Sequence, residues 1–248
     1  MATPIIKDKI SFVIPAHNEA EVIEHTVALV YKTLNEIHLP FELIIGNDGS
    51  NDNTLNVLNR IKQKYPFLRI ISFDKNRGRG AMLTEAILKS DGEYIVYTDA
   101  DLAIDLSAFG IAKHYAQSGY DIVIGSKHLS ESDVDSSKVR KIFSVLYSKL
   151  ARILLKINIS DFQCGFKMFK KKSIIPIVSD VDSYGWSWDT EILLKAYKNG
   201  LKIKEIPVQV RNLNMRKSKV RLLRDSAIMG AVLFKLWSID RRRLRQSL

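Results

Sequence analysis

The stretch Glu93-Tyr94-Ile95-Val96-Tyr97-Thr98-Asp99-Ala100-Asp101 constrains this chain more than any other. A short run of β-branched and aromatic residues reads as a buried strand. It runs out into two carboxylates one residue apart. Two neighbouring anions cannot be buried without partners, so the pair belongs at the strand's open end, where ligands of open α/β sheets bind. Successive strand residues point opposite ways, so Asp99 and Asp101 are expected to share a face. Two hard oxygen donors on one side suit Mg²⁺ or Mn²⁺ holding a diphosphate. A solvated turn also carries Asp-x-Asp, so the surrounding sequence must discriminate.

That context alternates strands and helices. Residues 10–15 and 41–45 read as strands, separated by a helix over about 19–37 with Val22, Ile23, Val27, Val30 and Leu34 on one face. A helix to about residue 65, a strand over 68–73, a glycine-rich turn at 76–80 and a helix over about 81–90 follow. This order, with short turns, predicts an α/β fold with a mostly parallel central sheet and helices on both faces. Further on, 121–125 reads as a strand, 126–135 as a polar loop and 138–157 as a helix. Residues 165–169 look extended and 188–198 helical. Pro207 marks 201–210 as an edge or irregular strand, and 220–245 is helical again. No repeat or linker divides the 248 residues. The expected organisation is one catalytic domain over 1–220 and a basic amphipathic helix over 221–248.

Charge narrows the choice of partners. The chain carries a net charge of +11, and residues 211–248 hold eleven Lys/Arg against Asp225 and Asp240. Such a tail implies a polyanionic neighbour, a membrane surface or nucleic acid. No nucleic-acid motif accompanies it, so none is expected as partner; a non-catalytic basic nucleotide- or nucleic-acid-binding protein is the rival class. Residues 228–239 are too short an apolar run to span a bilayer but suit its interface. Docking to a membrane subunit or a second protomer, or plain core packing, are the other uses. A single cysteine, Cys164, excludes an internal disulfide and a cysteine-rich zinc site. The first ten residues lack an apolar core of signal-peptide length, so no secretion is expected.

Pro15-Ala16-His17-Asn18-Glu19, Asn47-Asp48-Gly49-Ser50-Asn51-Asp52 and Asp99-Ala100-Asp101-Leu102 form an ordered series at strand ends. The series resembles the family-2 glycosyltransferases, which have the nucleotide-sugar-binding GT-A fold. Asp161-Phe162-Gln163-Cys164-Gly165-Phe166-Lys167, Trp188-Asp189-Thr190-Glu191, Glu205-Ile206-Pro207-Val208 and Ser218-Lys219-Val220 resemble its polyprenyl-phosphate branch, which includes the dolichyl-phosphate mannose and glucose synthases. The resemblance spans roughly residues 10–220. It implies an inverting hexose transfer from a nucleotide sugar, UDP-glucose or GDP-mannose, to polyprenyl phosphate. The setting it implies is peripheral, at the cytoplasmic face of a membrane.

The resemblance assigns donor binding to Pro15, Ala16, Glu19, Asp48, Ser50, Arg79, Asp99, Ala100, Asp101 and Lys219. Asp48 can meet the nucleobase or ribose or close an Asx turn; Glu19 can serve the same side or pair with a helix N-terminus. Arg79 can approach phosphate from a helix start or stay solvated. Asp101 is the first choice as metal ligand, with Asp99 also toward metal or nearer the ribose. Ala103 stands where mannose synthases often have Gln, which favours the glucose-type branch. Ser218-Lys219 is expected to close over the diphosphate.

At the acceptor end, a lipid phosphate is largely dianionic near neutral pH and needs alignment and positive charge more than a base. Lys127 supplies a point charge where the mannose synthases usually have Arg. On the helix from Lys138, Lys138, Lys141, Lys149, Arg152 and Lys156 fall within an arc of roughly 80° at about 100° per residue. Arg140 lies off that stripe, with Ser144 one turn later. The stripe is read as facing lipid headgroups and Arg140 the acceptor phosphate, unless both are simply solvated. Asp101, Arg140 and Lys127 are the catalytic candidates together with Asp161, which resembles the carboxylate that the branch places near the reacting centre and otherwise has a structural turn role. Lys127, Arg140, Ser144, Gln163, Lys167, Trp188 and Asp189 are the acceptor-binding ones, Trp188 with core packing as its alternative.

Overall fold

The computed structural model describes residues 9–36, 38–211 and 222–246, with the Ser218-Lys219 loop outside them. The first half runs β1 (Ile10–Ala16), α1 (Ile23–Glu36), β2 (Phe41–Asp48), α2 (Thr54–Lys64), β3 (Leu68–Phe73), α3 (Arg79–Leu88) and β4 (Tyr94–Thr98). The second half runs α4 (Ala108–Gln117), β5 (Ile122–Ser126), β6 (Asp133–Val134), α5 (Lys138–Leu155), β7 (Phe166–Lys170) and α6 (Lys171–Val178). It ends with α7 (Trp188–Lys198), β8 (Ile203–Pro207), β9 (Gln209–Val210) and α8 (Leu222–Gln246).

Seven strands form one sheet in the order β3-β2-β1-β4-β7-β5-β8. All neighbours are parallel except β7, which runs antiparallel to both β4 and β5. The period-2 alternation divides the core. Phe12, Ile14, Leu43, Ile45 and Val96 pack on one face with Val27, Leu34 and Phe109. Val13, Ile44, Ile95 and Tyr97 pack on the other with Leu83, Ala151, Trp188, Leu193 and Leu233. Burying both faces explains why the central strands are almost uninterrupted apolar runs.

β1 lies between β2 and β4, so the chain leaves it in opposite directions and opens a crevice at the strands' carboxyl ends. The loops after β1, β2 and β4 meet there.

The structure revises several expectations. α1 starts at Ile23, because the loop before it is tied to the loop after β2: Glu19 N donates to Thr54 Oγ1 (2.7 Å) and Asn18 N to Ser50 Oγ (2.9 Å). Asn18 itself sits at φ 55°. α4 and α6 have no counterpart in the sequence pattern; Gly110 and Pro176 interrupt their helical signal. β8 is an edge strand ending at Pro207, as the proline demands. α8 is partly a core helix, with Leu233 and Leu236 buried while Ile228 and Phe234 are exposed.

Candidate active site

The central strand stops at Thr98, so the two aspartates follow it in a turn. The shared-face expectation is corrected on that ground: strand alternation no longer applies. Leu102, at φ 47°, donates its N–H to Asp99 O (3.1 Å), and the turn leaves Asp99 half-buried and Asp101 exposed. Gly165 makes room behind Asp99; a Cβ there would lie 2.0 Å from Asp99 Oδ2.

Asp99 is held by Arg79, whose Nε and Nη2 both donate to Oδ1. Arg79 comes from the first turn of α3, and its Nη1 donates to Asp189 Oδ2 at 2.7 Å. Asp189 in turn accepts from Lys167 Nζ (2.6 Å) and from the Tyr97 hydroxyl. Burial opposes the charge on Arg79, yet Asp99 and Asp189 outweigh it and raise its pKa well above the ordinary value. Burial opposes ionisation of Asp189 as well, but Lys167 and Arg79 hold its carboxyl below the usual range. For Tyr97, burial and the Asp189 charge act together and push the phenol well up. The guanidinium of Arg79 also lies 5.1 Å from the Tyr97 ring centroid and 5.3 Å from that of Trp186.

This ladder corrects three acceptor assignments. Lys167 is 0% exposed, Asp189 1% and Trp188 0%, so none of them can line an acceptor pocket. Lys167 is consumed by Tyr97, Asp189 and the Cys164 carbonyl. Trp188 packs against Gly80, where an added Cβ would lie 2.5 Å from the Trp188 Cβ, and donates Nε1–H to Thr84. Their work is to fix Arg79 from beneath.

On the donor side Asp48 is buried, and its oxygens accept the N–H groups of Arg77 (2.8 Å) and Gly78 (2.9 Å). It therefore pins the glycine-rich turn that launches Arg79, a long-range tie and not a local Asx turn. Gly78 needs its φ of 100° and its missing Cβ, since the Tyr184 carbonyl is 2.4 Å from where a Cβ would stand. Pro15 and Ala16 end β1 beside this loop, and the Ala100 carbonyl accepts from Thr26 Oγ1 (2.6 Å). Glu19 is buried in the same loop cluster.

A second cluster stands at the end of β5. Lys127 pairs with Asp161 at 3.1 Å and also donates its backbone N–H to it. Burial works against the Lys127 charge, but Asp161 raises its pKa, with smaller help from Cys164 and Asp99. Burial likewise opposes the Asp161 charge, and Lys127 prevails to lower it. Asp161 is 0% exposed, and its carboxylate is taken up by the side chain and backbone N–H of Lys127. Gln163 donates to Thr190 Oγ1 (2.9 Å), which also meets the Tyr147 hydroxyl (2.6 Å).

Ser144 meets His128 Nε2 at 3.0 Å. The other ring nitrogen faces Ser160 O at 2.6 Å, while Ser160 and Asp161 donate backbone N–H groups to Glu205. Arg140 is exposed on the first turn of α5, in the same angular sector as Ser144 and Tyr147. Tyr97, Trp186, His128, Thr190 and Glu205 were not candidates. Only the motifs containing Thr190 and Glu205 signalled them, because the others lie in ordinary strand or loop sequence.

Among the described residues, no group of three or more His, Cys, Asp or Glu is placed to hold a metal ion. Asp101, exposed beside the Arg79-bound Asp99, nevertheless offers hard oxygen donors. Such a partial set fits a cation that completes its shell with water and phosphate oxygens.

Crevice, carboxylate turn and fixed arginine together define a GT-A-like α/β transferase scaffold. The sequence profile of Glycosyl transferase family 2 matches residues 11–177, and the chain belongs to that family of sugar-transferring enzymes.

Its relatives are informative in different ways. Glycosyltransferase AglD of Haloferax volcanii is 34% identical over 92% of this chain, which spans only 37% of that protein. The dolichyl-phosphate beta-glucosyltransferase of Saccharomyces cerevisiae is 31% identical, with 89% of this chain and 72% of that one covered. Among solved structures, glucosyl-3-phosphoglycerate synthase from Mycobacterium tuberculosis, in complex with Mn²⁺ and UDP-glucose, aligns with a TM-score of 0.67. It is 17% identical, with 93% of this chain and 79% of that one covered, and so attests the fold.

Proposed function

We propose that this chain transfers glucose from UDP-glucose to a polyprenyl phosphate at the cytoplasmic face of a membrane, with inversion. The observation carrying this reading is the pairing of an exposed Asp101 with an Asp99 locked by Arg79, next to a separate cationic centre at Lys127. Two anionic substrates need two such centres.

Asp101 and Asp99 are the residues that would hold Mg²⁺ or Mn²⁺. The bound cation supplies Lewis-acid compensation for charge on the diphosphate. Arg79 adds a fixed positive charge on the donor side, and its guanidinium cannot deprotonate. The acceptor phosphate oxygen attacks the anomeric carbon as the bond to the nucleoside diphosphate breaks from the opposite face. An α-linked donor then yields a β-linked product, and the electron pair leaves with the diphosphate. Lys127, kept protonated by Asp161, holds the attacking dianion in line, and Arg140, on the helix sector of Ser144, adds a second positive charge for it. The glucosyltransferase relatives and Ala103 favour UDP-glucose over GDP-mannose.

A panel of labelled UDP- and GDP-sugars with polyprenyl phosphate and Mg²⁺ or Mn²⁺ tests the reading. Label should enter the lipid phase from UDP-glucose. Label from GDP-mannose alone would reassign the donor, and label from no donor would overturn the proposal.

A further inference from the structure

Helix α5 has three faces. Ser148, Ala151 and Leu155 are buried against the core, where α8 packs alongside. Lys138, Lys141, Lys149 and Arg152 form the exposed basic stripe. Beyond the stripe, opposite the buried face, lies a ridge of Val139, Ile142, Leu146, Leu150 and Ile153, spaced at 3, 4, 4 and 3 residues. These five are 54%, 57%, 59%, 47% and 73% exposed. At about 100° per residue the ridge fills an arc of about 80° that abuts the basic stripe. A row of apolar side chains so open to water marks an interaction surface.

The charges around the ridge identify its occupant. Residues 138–156 carry six Lys/Arg and no Asp or Glu. Where α5 ends, Lys149, Arg152, Ile153, Lys156, Ile157 and Asn158 line a shallow concavity of about 420 Å³ bearing three cations. A second copy of this chain, docked by a two-fold, would set like charges against each other with no acid on the helix to offset them. An anionic lipid surface complements both stripes at once: acyl chains for the ridge and headgroups for the cations and the concavity.

We infer that the outer face of α5 is the membrane-docking surface of this protein, its apolar ridge entering an anionic leaflet and its basic stripe lying among the headgroups. This inference rests on the reading that the acceptor is membrane-borne, and it adds an orientation to it. The inner face of the same helix carries Ser144, bonded to His128, and Tyr147, bonded to Thr190. Docking by the outer face sets the Lys127–Asp161 centre about one helix diameter, ~10 Å, from the headgroups. A lipid phosphate then need rise only slightly from its leaflet to reach it.

The test uses the full chain and vesicles of phosphatidylcholine with about a third phosphatidylglycerol, free of polyprenyl phosphate. Transfer to water-soluble farnesyl phosphate is measured separately. The wild type should pellet with anionic vesicles. Leu146→Asp/Leu150→Asp should weaken pelleting about tenfold or more, with the urea midpoint and farnesyl transfer unchanged. Lys141→Ala/Lys149→Ala, which leaves the ridge intact, should weaken it mainly at low salt. Pelleting by the ridge variant equal to wild type would overturn the inference. So would a wild type that stays in the supernatant as a dimer dissociated by the same substitutions, since a second copy would then own the ridge. Ridge-dependent docking without transfer to any polyprenyl phosphate would sustain the surface and refute the acceptor reading.

Discussion

Arg79 grips a single oxygen of Asp99 with two nitrogens, Nε at 3.0 Å and Nη2 at 2.9 Å. The grip orients the inner carboxylate of the turn and leaves Asp101 to face outward. It is possible only because α3 begins at Arg79 itself, with Asp48 holding the amides just before it.

Removing the guanidinium should therefore hurt both stability and chemistry. Arg79→Met leaves Asp99 without its partner and Asp189 dependent on Lys167 alone. Breaking a buried ionic network of this kind costs about 3 kcal/mol or more. Urea midpoints measure the loss, and a midpoint unchanged from wild type would show that the ladder bears no load.

The two aspartates should separate cleanly. Asp101 is exposed, so Asp101→Ala should alter stability by less than about 0.5 kcal/mol. Transfer should fall about 100-fold or more, because charge compensation on the leaving diphosphate is worth several kcal/mol. Chelation of divalent ions should silence the wild type equally, with Mn²⁺ or Mg²⁺ restoring it. Wild-type rates in Asp101→Ala would remove that carboxylate from the site.

Gly165→Ala tests geometry without touching charge. Its Cβ would fall 2.0 Å from Asp99 Oδ2 and 2.8 Å from Cγ, so Asp99 must turn away from Arg79. Overpacking costs about 1–3 kcal/mol, and donor-dependent transfer should drop more than stability does. Gly110→Ala, with nothing within 4 Å of its Cβ, is the neutral control. Equal transfer by both variants would exclude a need for this Asp99 position.

The Lys127–Asp161 pair sets a pH window. Asp161 is depressed in the fold, so its contribution is complete above the unfolded value of about 4 and is lost as pH falls through the lower folded value. Lys127 is raised, so its share is complete below about 10 and is lost as pH rises through the folded value. Urea midpoints should form a plateau between those limits. Asp161→Asn should lower the plateau and shrink the difference from wild type in acid. A gap that stays constant below pH 4 would contradict the pairing.

Cys164 should be inert while folded. Burial pushes its thiol up to about 12, leaving little thiolate near neutrality. Iodoacetamide at about pH 8, where an unperturbed thiol is partly ionised, should label it slowly in the native chain and rapidly in urea. Fast native labelling would show that the segment around it opens.

Local pattern revealed most of the scaffold. Apolar runs and short turns placed β1, β2, β3, β4 and β5, and helical spacing placed α2, α5 and α7 near their observed bounds, because each is set by near neighbours in sequence. Pro207 alone was enough to put β8 at an edge. Residue types and motif order put Asp99 and Asp101 at a strand end, and the structure adds that Arg79 bonds Asp99 there. What stayed hidden was which polar groups are consumed internally. Lys167 and Asp189 carry the charges of binding residues, but their sequence neighbours do not disclose that each is the other's partner.

The sequence by itself determined an α/β chain of the family-2 class, with carboxylates at the end of its central strand and a basic stripe along one helix. Such features are one-dimensional: periodicity, breakers and motif order. Only the tertiary structure decided that β7 enters antiparallel between β4 and β5, bringing Lys167 beneath Tyr97, and that α7 sets Asp189 against Arg79. It alone set an apolar ridge beside that stripe, facing water. Burial and pairing depend on residues far apart in the chain, and a charge becomes ligand, partner or support only when folding has fixed what stands opposite it.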